Sequence, residues 1–221
     1  MKEKILVLDS TNLFIRNFIA DPSLSKNGLP YGGIKGFLKS LQKLIRETNA
    51  SFVVCVWDGS QGSARKRKIN SEYKDGRKPV HLNRNTHHLS DVEEQENKSL
   101  QFYKLIEYLN LMPVVQLMID DVEADDVIAK VCQLKIFNDK VKIIVSSDKD
   151  FIQLCNEDTI LLRPIQNEIL NVKRIVEKFE IHPNNFALAR SIAGDQSDNL
   201  DGVGGIGLKT IAKRLPILKE E

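Results

Sequence analysis

Short apolar runs rich in β-branched residues alternate along the chain with longer segments whose apolar residues recur at helical spacing. The runs that predict strands are residues 4–9 (KILVLD), 52–57 (FVVCVW), 113–117 (PVVQL), 140–147 (KVKIIVSS) and 159–164 (TILLRP). Helical spacing within residues 34–45 and from about 123 to 137 predicts helices between them. Because the strands are apolar on both faces, the pattern predicts an α/β fold whose mainly parallel central sheet is flanked by helices.

Two segments interrupt this alternation. Residues 59–91 lack apolar periodicity, which is long for a loop in a compact domain and indicates a functional insertion. Ser90 and Glu93 form a capping-box pattern that restarts a helix after it. From about residue 173 the strands stop and short helices follow. We therefore predict an α/β core over residues 1–172, with an insertion at about 59–92, and a small helical lobe over residues 173–221.

Composition narrows the class of protein only slightly. The 221 residues include 32 Lys and Arg against 30 Asp and Glu, so the net charge of +2 gives no argument for nucleic acid by itself. Cys55, Cys132 and Cys155 lie in apolar surroundings and are expected to be reduced, buried thiols. The first apolar run is too short for a signal sequence, and no run of 18 apolar residues exists. A cytoplasmic protein is expected.

Carboxylates follow four of the predicted strands, at the end where open parallel sheets bind their ligands. These residues are Asp9, Asp58, Glu123, Asp125, Asp126, Asp148 and Asp150. Each one alone is more often a helix cap or a turn residue. Together they would repel one another by roughly 4 kcal/mol for each pair about 4 Å apart at an effective dielectric near 20. Cations must therefore share the cleft.

The ligand types indicate which cations these are. All-oxygen ligands without histidine or cysteine suit Mg²⁺ or Mn²⁺. Two such ions roughly 4 Å apart are the usual apparatus for displacement at phosphorus, so the pattern predicts a phosphodiester substrate. Asp195 and Asp198, in the segment AGDQSDN, extend the acidic set if they are ligands. A helix cap and an Asx-turn explain them equally well.

The basic excess of the chain is concentrated beside this predicted cleft. Residues 64–88 contain Arg65, Lys66, Arg67, Lys68, Lys74, Arg77, Lys78 and Arg84. A charge run alone is usually a solvated loop. Because this one directly follows Asp58, we expect it to attract a phosphate backbone and to stabilise developing charge. Tyr73 offers a ring on which a base can stack.

The glycine cluster DNLDGVGGIGLKT at residues 198–210 has four interpretations. It matches G-x-G-x-x-G, but a polar turn rather than a strand precedes it, and Leu208 breaks the spacing of a P-loop. A glycine hairpin between two helices remains, whose free N–H groups can hold a phosphate while Lys209, Lys213 and Arg214 contact the backbone. The alternative is a plain helix C-cap with a glycine turn.

Seven motifs in this order, LVLDSTN, VWDG, EYKDGR, VEADD, SSDKD, GDQSDN and GVGGIGLKT, resemble the 5′-nuclease superfamily of flap endonucleases and 5′-to-3′ exonucleases, including the phage enzymes called RNase H. The resemblance extends from Asp9 to about Arg214. It implies a PIN-like core and nine metal ligands. A first ion is expected near Asp9, Asp58, Glu123, Asp125 and Asp148, and a second near Asp150, Asp195, Asp198 and Asp126.

The resemblance also implies roles for the basic segment and the hairpin. Lys74 and Arg77 would act over the scissile phosphate, with Asp148 as the third catalytic residue and Tyr73 contacting the nucleic acid. The hairpin resembles a helix-three-turn-helix element that grips duplex DNA and binds K⁺. Its nucleic-acid contacts would be Gly202, Gly204, Gly205, Gly207, Lys209, Thr210 and Lys213. The family pattern continues with further helices after this element.

From these features we predict a structure-specific 5′ nuclease of DNA replication or repair. It would use two Mg²⁺ ions, for which Mn²⁺ can substitute, to hydrolyse phosphodiesters in DNA with 5′ ends or flaps, or in RNA/DNA hybrids. A monomer without membrane contact is expected. Two alternatives stay open, a PIN-type ribonuclease and a catalytically silent protein that binds branched DNA.

Overall fold

The computed structural model describes residues 2–76, 81–82 and 89–221. The strands are β1 (Lys4–Asp9), β2 (Phe52–Trp57), β3 (Val115–Met118), β4 (Val141–Val145), β5 (Thr159–Arg163) and β6 (Glu168–Leu170). The α-helices are α1 (Ser10–Ala20), α2 (Gly32–Thr48), α3 (Ala64–Ile69), α4 (Asp91–Asn110), α5 (Ala124–Cys132), α6 (Val172–Phe179), α7 (Phe186–Ala193) and α8 (Leu208–Arg214). Short 3₁₀ helices lie at Lys135–Phe137, Asp150–Leu154, Pro183–Asn185, Gln196–Asp198 and Pro216–Lys219.

The six strands form one sheet in the order β3-β2-β1-β4-β5-β6. All neighbouring pairs are parallel except β5 and β6, which are antiparallel. The predicted α/β class with a mainly parallel sheet is therefore confirmed. The chain leaves β1 toward β2 on one side and returns to β4 on the other. This reversal opens a crevice at the carboxyl ends of β1 and β4, where ligands of such sheets bind.

The central strand explains why the sheet is buried on both faces. Ile5 and Val7 pack into one apolar cluster, and Leu6 and Leu8 pack into the other. All four are fully buried because helices cover both sides of the sheet. Burying each such side chain contributes roughly 1.5–3 kcal/mol relative to exposure. Alternate residues of one strand thus serve two different cores.

Helices α1, α2 and α4 cover one face of the sheet, where Phe14, Phe37 and Leu105 join the cluster that contains Trp57. Helices α5 to α8 cover the other face, so the residues after the last strand share a core with the sheet. The sheet ends at Leu170 and α6 begins at Val172. The helices after β6 pack on this face of the sheet, and the division into a core and a separate lobe at residues 172–173 stays a prediction.

Several elements differ from those expected. Helix α1, eleven residues long, begins directly after Asp9 and was not predicted. Helix α5 ends at Cys132, and a separate 3₁₀ helix follows it, where one longer helix was expected. The segment without apolar periodicity contains the short helix α3. Expectations for Arg77, Lys78 and Arg84 lie outside the described residues.

The cysteines carry free thiols, of which two are buried and Cys132 is partly buried. Burial raises the pKa of Cys55 to about 11, so its thiol stays protonated near neutral pH. In the described part of the chain, no helix combines the length and the apolar character needed to cross a bilayer.

Candidate active site

The carboxylates that follow the strands meet in one cleft of about 460 Å³ at the carboxyl edge of the sheet. Its acidic lining consists of Asp9, Asp58, Glu123, Asp125, Asp148, Asp150, Asp195 and Asp198. The remaining predicted ligand, Asp126, lines an adjoining groove together with Asp125, Asp150 and Asp198. The structure thus brings all nine predicted side chains to one region.

Asp9 forms the base of the cleft. It ends β1 and caps α1, accepting the N–H of Asn12 at 3.2 Å, so the cap interpretation of this residue is confirmed, and its role as a metal ligand stays a prediction. The pairing of Leu8 with Val145 aligns Asp9 with Ser146, whose hydroxyl donates to Asp9 at 2.8 Å. Burial raises the pKa of Asp9 to about 7 against these two hydrogen bonds, and the charges of Asp58 and Asp148 add to the rise. A cation in the cleft would offset this cost of ionisation.

Asp58 joins two neighbouring strand ends. Its side chain accepts the backbone N–H of Ala124 at 2.8 Å, at the start of α5. Its own N–H donates to the hydroxyl of Thr11 at 2.9 Å, in the first turn of α1. These contacts hold Asp58 between the N-terminal ends of α1 and α5.

Three carboxylates at the start of α5 form the tightest acidic group. Glu123, Asp125 and Asp126 each place an oxygen within 4.8 Å of the others. The ammonium of Lys66, on α3, hydrogen-bonds Glu123 and lies 3.2 Å from Asp125 and 3.4 Å from Asp126. A cationic group therefore already occupies the space among them. The oxygen-only donor set and this stand-in charge fit a divalent metal site.

Lys74 and Tyr73 also contact Glu123, Lys74 at Oε1 and Tyr73 at Oε2, the oxygen that Lys66 contacts. The ammonium of Lys74 lies 2.6 Å from Glu123 and 5.0 Å from the centre of the Tyr73 ring. Burial alone would raise the pKa of Glu123, but the hydrogen bonds and charges of Lys66 and Lys74 outweigh it and lower the pKa. Glu123 is consequently ionised at neutral pH although only 6% of its surface is exposed.

Tyr73 differs from the exposed stacking platform expected of it. Only 7% of its surface is exposed, and its hydroxyl donates to Glu123 at 3.1 Å. Burial raises the pKa of this hydroxyl to about 12, so it acts as a neutral donor. Base stacking on this ring would require residues 72–75 to move away from the cleft.

The second predicted metal group is held by an arginine. Arg190, on α7, donates to Asp150 at 3.1 Å and to Asp195. Burial and the charge of Asp148 raise the pKa of Asp150, and Arg190 opposes this. Asp195 also caps the following 3₁₀ helix by accepting the N–H of Ser197 at 2.9 Å. Asp195 therefore makes the contacts expected of a helix cap, and it also faces the cleft, as a metal ligand would.

The glycine segment leads into α8, with Gly207 as its N-cap. Gly202 lies against the backbone of Ala193, and a Cβ there would come within 2.2 Å of it. Gly205 has a φ of +74°, which favours glycine. Lys209 and Lys213 are exposed on α8, on the side away from the buried Ile211. The segment is therefore exposed at the surface.

A scan against protein families matches residues 4–180 with the family described as the 5′-3′ exonuclease, N-terminal resolvase-like domain. The chain belongs to this 5′-3′ exonuclease family. The resemblance inferred from the motifs is therefore confirmed, and the acidic cleft lies within the matched residues except for Asp195 and Asp198.

Curated relatives in this family include a 5′-3′ exonuclease of Aquifex aeolicus, 30% identical over 208 residues that cover 93% of this chain and 66% of the relative. The thermostable DNA polymerase I of Thermus thermophilus is 32% identical over 215 residues, covering 97% of this chain and 24% of the polymerase. The chain spans about two thirds of the exonuclease and about a quarter of the polymerase.

A solved structure supports the fold of this family member. The flap endonuclease of bacteriophage T5, crystallised with DNA and metal ions, superposes with a TM-score of 0.71 at 20% identity. The match covers 97% of this chain and 76% of that one. The shared architecture includes the sheet whose carboxyl edge carries the acidic cleft.

Three cleft residues were absent from the predicted set. Lys66 belonged to the basic run, but only the structure places it among the acids. Arg190 lies 40 residues from Asp150 in sequence, and no local pattern links the two. Arg16 lines the cleft from α1, and its Nη1 is buried with no hydrogen-bond partner among the described residues. A lone arginine within the apolar segment LFIRNFI was the available signal.

Proposed function

We propose that the protein is a structure-specific 5′ nuclease that hydrolyses phosphodiesters in DNA, as a 5′-to-3′ exonuclease or flap endonuclease acting in replication or repair. The observation that carries the proposal is the convergence of carboxylates from four strand ends and from the segment after α7 in one cleft. Family membership supports the same reaction. A cleft with so much negative charge does not suit a protein that only binds phosphates.

The metal ligands divide between two ions in the proposed site. Asp9, Asp58, Glu123, Asp125 and Asp148 would hold the first Mg²⁺, while Asp126, Asp150, Asp195 and Asp198 would hold the second, with Mn²⁺ able to replace either. When bound, such ions lower the pKa of a water molecule and stabilise charge on the leaving oxygen. The ionised state of Glu123, kept by Lys66 and Lys74, provides a ligand ready for a cation.

The basic side chains have their own part in the proposed reaction. Lys66 and Lys74 neutralise the acids of the described structure, and they would become available to a phosphate once bound metal ions neutralised those acids instead. Lys74 would then contact the scissile phosphate, where a fixed cation stabilises developing negative charge. Arg77, proposed for the same task, lies outside the described residues.

Substrate binding is proposed for the glycine segment and α8. Gly202, Gly204, Gly205, Gly207, Lys209, Thr210 and Lys213 would contact the backbone of a duplex, with K⁺ at the hairpin. The DNA-bound endonuclease of phage T5 supports DNA as the ligand. RNA/DNA hybrids are a further proposed substrate. We also propose that the protein acts as a monomer in the cytoplasm.

The test is cleavage of end-labelled flap, nicked, blunt and single-stranded RNA substrates, with and without Mg²⁺. We expect Mg²⁺-dependent cleavage near the junction of single and double strands. Asp148→Asn should abolish cleavage while leaving flap binding within about twofold, because the substitution removes a ligand charge and changes little volume. Preferential cleavage of single-stranded RNA, or flap binding without any cleavage, would contradict the proposal. If the Asp148→Asn variant still cleaves, Asp148 is not part of the active site.

A further inference from the structure

The turn that carries Lys74 is attached to the segment after α7 by three hydrogen bonds. The side-chain amide of Asn199 donates to the carbonyl oxygen of Glu72 at 2.9 Å and to that of Asp75 at 3.0 Å. The backbone N–H of Lys74 donates to the carbonyl oxygen of Asp198 at 3.2 Å. Both acceptors of Asn199 are carbonyl oxygens, so the amide nitrogen is the atom that faces them. The two contacts bracket Lys74 on either side.

The backbone at this attachment is unusual on both sides. Lys74 has a φ of 56° and Asn199 a φ of 55°. Residues other than glycine and asparagine seldom adopt this left-handed backbone region. Such a conformation costs of order 1–3 kcal/mol at Lys74 and persists only where surrounding contacts enforce it. The hydrogen bonds from Asn199 and to Asp198 supply this enforcement.

We propose that Asn199 is a positioning residue that fixes Lys74 over the carboxylate edge of the cleft. The inference rests on the proposed nuclease function, because it assigns Asn199 a role through the proposed action of Lys74 on the scissile phosphate. The backbone constraint directs the Lys74 side chain into the cleft, where its ammonium lies 2.6 Å from Glu123. Asn199 also follows Asp198, so one short segment supplies a proposed ligand and sets the position of a cation.

The decisive variant is Asn199→Gly, which permits the positive φ and removes the side chain that carries the amide. Asn167→Gly is the matched control, because Asn167 also has a positive φ, 46°, but lies in the turn between β5 and β6. The two variants make the same chemical change in the same backbone conformation. Any effect of general destabilisation or added chain flexibility should appear in both.

Two measurements follow. Hydrogen exchange in the absence of DNA should show faster exchange for peptides covering residues 70–76 in Asn199→Gly and no change there in the control. Single-turnover cleavage of flap DNA at saturating enzyme should slow by roughly 10- to 100-fold in Asn199→Gly, because small displacements of a reacting group cost that much. Flap affinity should stay within about twofold, since Lys74 is one of several proposed contacts with the DNA backbone.

A double-mutant cycle with Lys74→Ala separates positioning from other roles. If Asn199 acts through Lys74, Asn199→Gly should change the rate of the Lys74→Ala enzyme by less than about threefold. The inference would be overturned if the effects of the two substitutions on the cleavage rate multiply, or if the hydrogen exchange of residues 70–76 is unchanged. An unchanged cleavage rate for Asn199→Gly in the wild-type background would also overturn it. If the wild type cleaves none of the substrates while exchange in Asn199→Gly still increases, the nuclease proposal fails, and only the attachment of the turn by Asn199 stands.

Discussion

Replacing Lys66 by methionine should increase the affinity of the DNA-free protein for divalent metal. In the structure the Lys66 ammonium lies among the three carboxylates at the start of α5, at 3.2 Å from Asp125 and 3.4 Å from Asp126. A metal ion at the same carboxylates must displace it. Methionine retains a long unbranched side chain but removes the competing charge.

The exposed fraction of each carboxylate determines how strongly it attracts the Lys66 ammonium. Unit charges 4 Å apart interact by about 1 kcal/mol in water and about 4 kcal/mol at an effective dielectric near 20. The side chains of Asp125 and Asp126 are 42% and 58% exposed, so their pairs with Lys66 fall toward the lower value. The Glu123 side chain is only 7% exposed, so its pair falls toward the higher one. The cost of desolvating these charges, and the contact that Glu123 keeps with Lys74, both reduce the net attraction. Releasing Lys66 therefore costs about 2 kcal/mol, which is roughly 30-fold in the Kd for the metal ion.

Isothermal titration with Mg²⁺, and Mn²⁺ titration followed by electron paramagnetic resonance, measure this affinity without DNA. Lys66→Met should lower Kd by about 10- to 100-fold. Lys68→Met is the matched control, because Lys68 lies on the same short helix and its side chain is exposed. If both variants bind metal equally well, the gain reflects net charge alone and direct competition by Lys66 is refuted.

Three other substitutions test separate parts of the site. The pKa of Asp9 is about 7 in the folded chain and 3.8 ordinarily, so the folded state binds an extra proton between about pH 4 and 7. The stability of the metal-free protein should therefore fall as pH rises through that window, by at most about 4 kcal/mol. Thermal unfolding in EDTA from pH 5 to 8 should show this slope, and Asp9→Asn should lose it; an equal slope in both would exclude Asp9 as its source. Lys74→Ala should slow single-turnover cleavage far more than it weakens flap binding, and equal losses would limit Lys74 to attraction of the substrate. Gly202→Ala should destabilise the protein by about 1–3 kcal/mol in chemical denaturation, because its Cβ would overlap the backbone of Ala193, whereas Gly204→Ala, with open space around it, should be neutral; similar stabilities would contradict this packing.

The acids of the cleft were predictable because of a regular property of parallel sheets. Residues that follow the strands reach the same edge, so the positions of Asp9, Asp58 and Asp148 followed from the apolar runs before them. Glu123 and Asp125 followed from their place at the start of a helix. No knowledge of side-chain contacts was needed for these residues.

Contacts between separate elements were beyond this kind of reasoning. Arg190 reaches Asp150 from a helix whose position depends on packing of the lobe against the sheet, and periodicity carries no information about that packing. The burial of Tyr73 has the same origin, since its partner Glu123 lies 50 residues away. Helix α1 was missed because no turn residue separates it from β1.

The direct passage from β1 into α1 has a consequence for which parts of the cleft are free to move. Asp9 is anchored at once to the middle strand of the sheet and to the first turn of a helix, so it has no hinge of its own. Lys74 and Asn199 lie instead on connecting segments that join across the cleft. In the proposed nuclease, those connections would adjust to flaps, nicks and ends of differing shape, while the base of the cleft at Asp9 keeps its geometry for all of them.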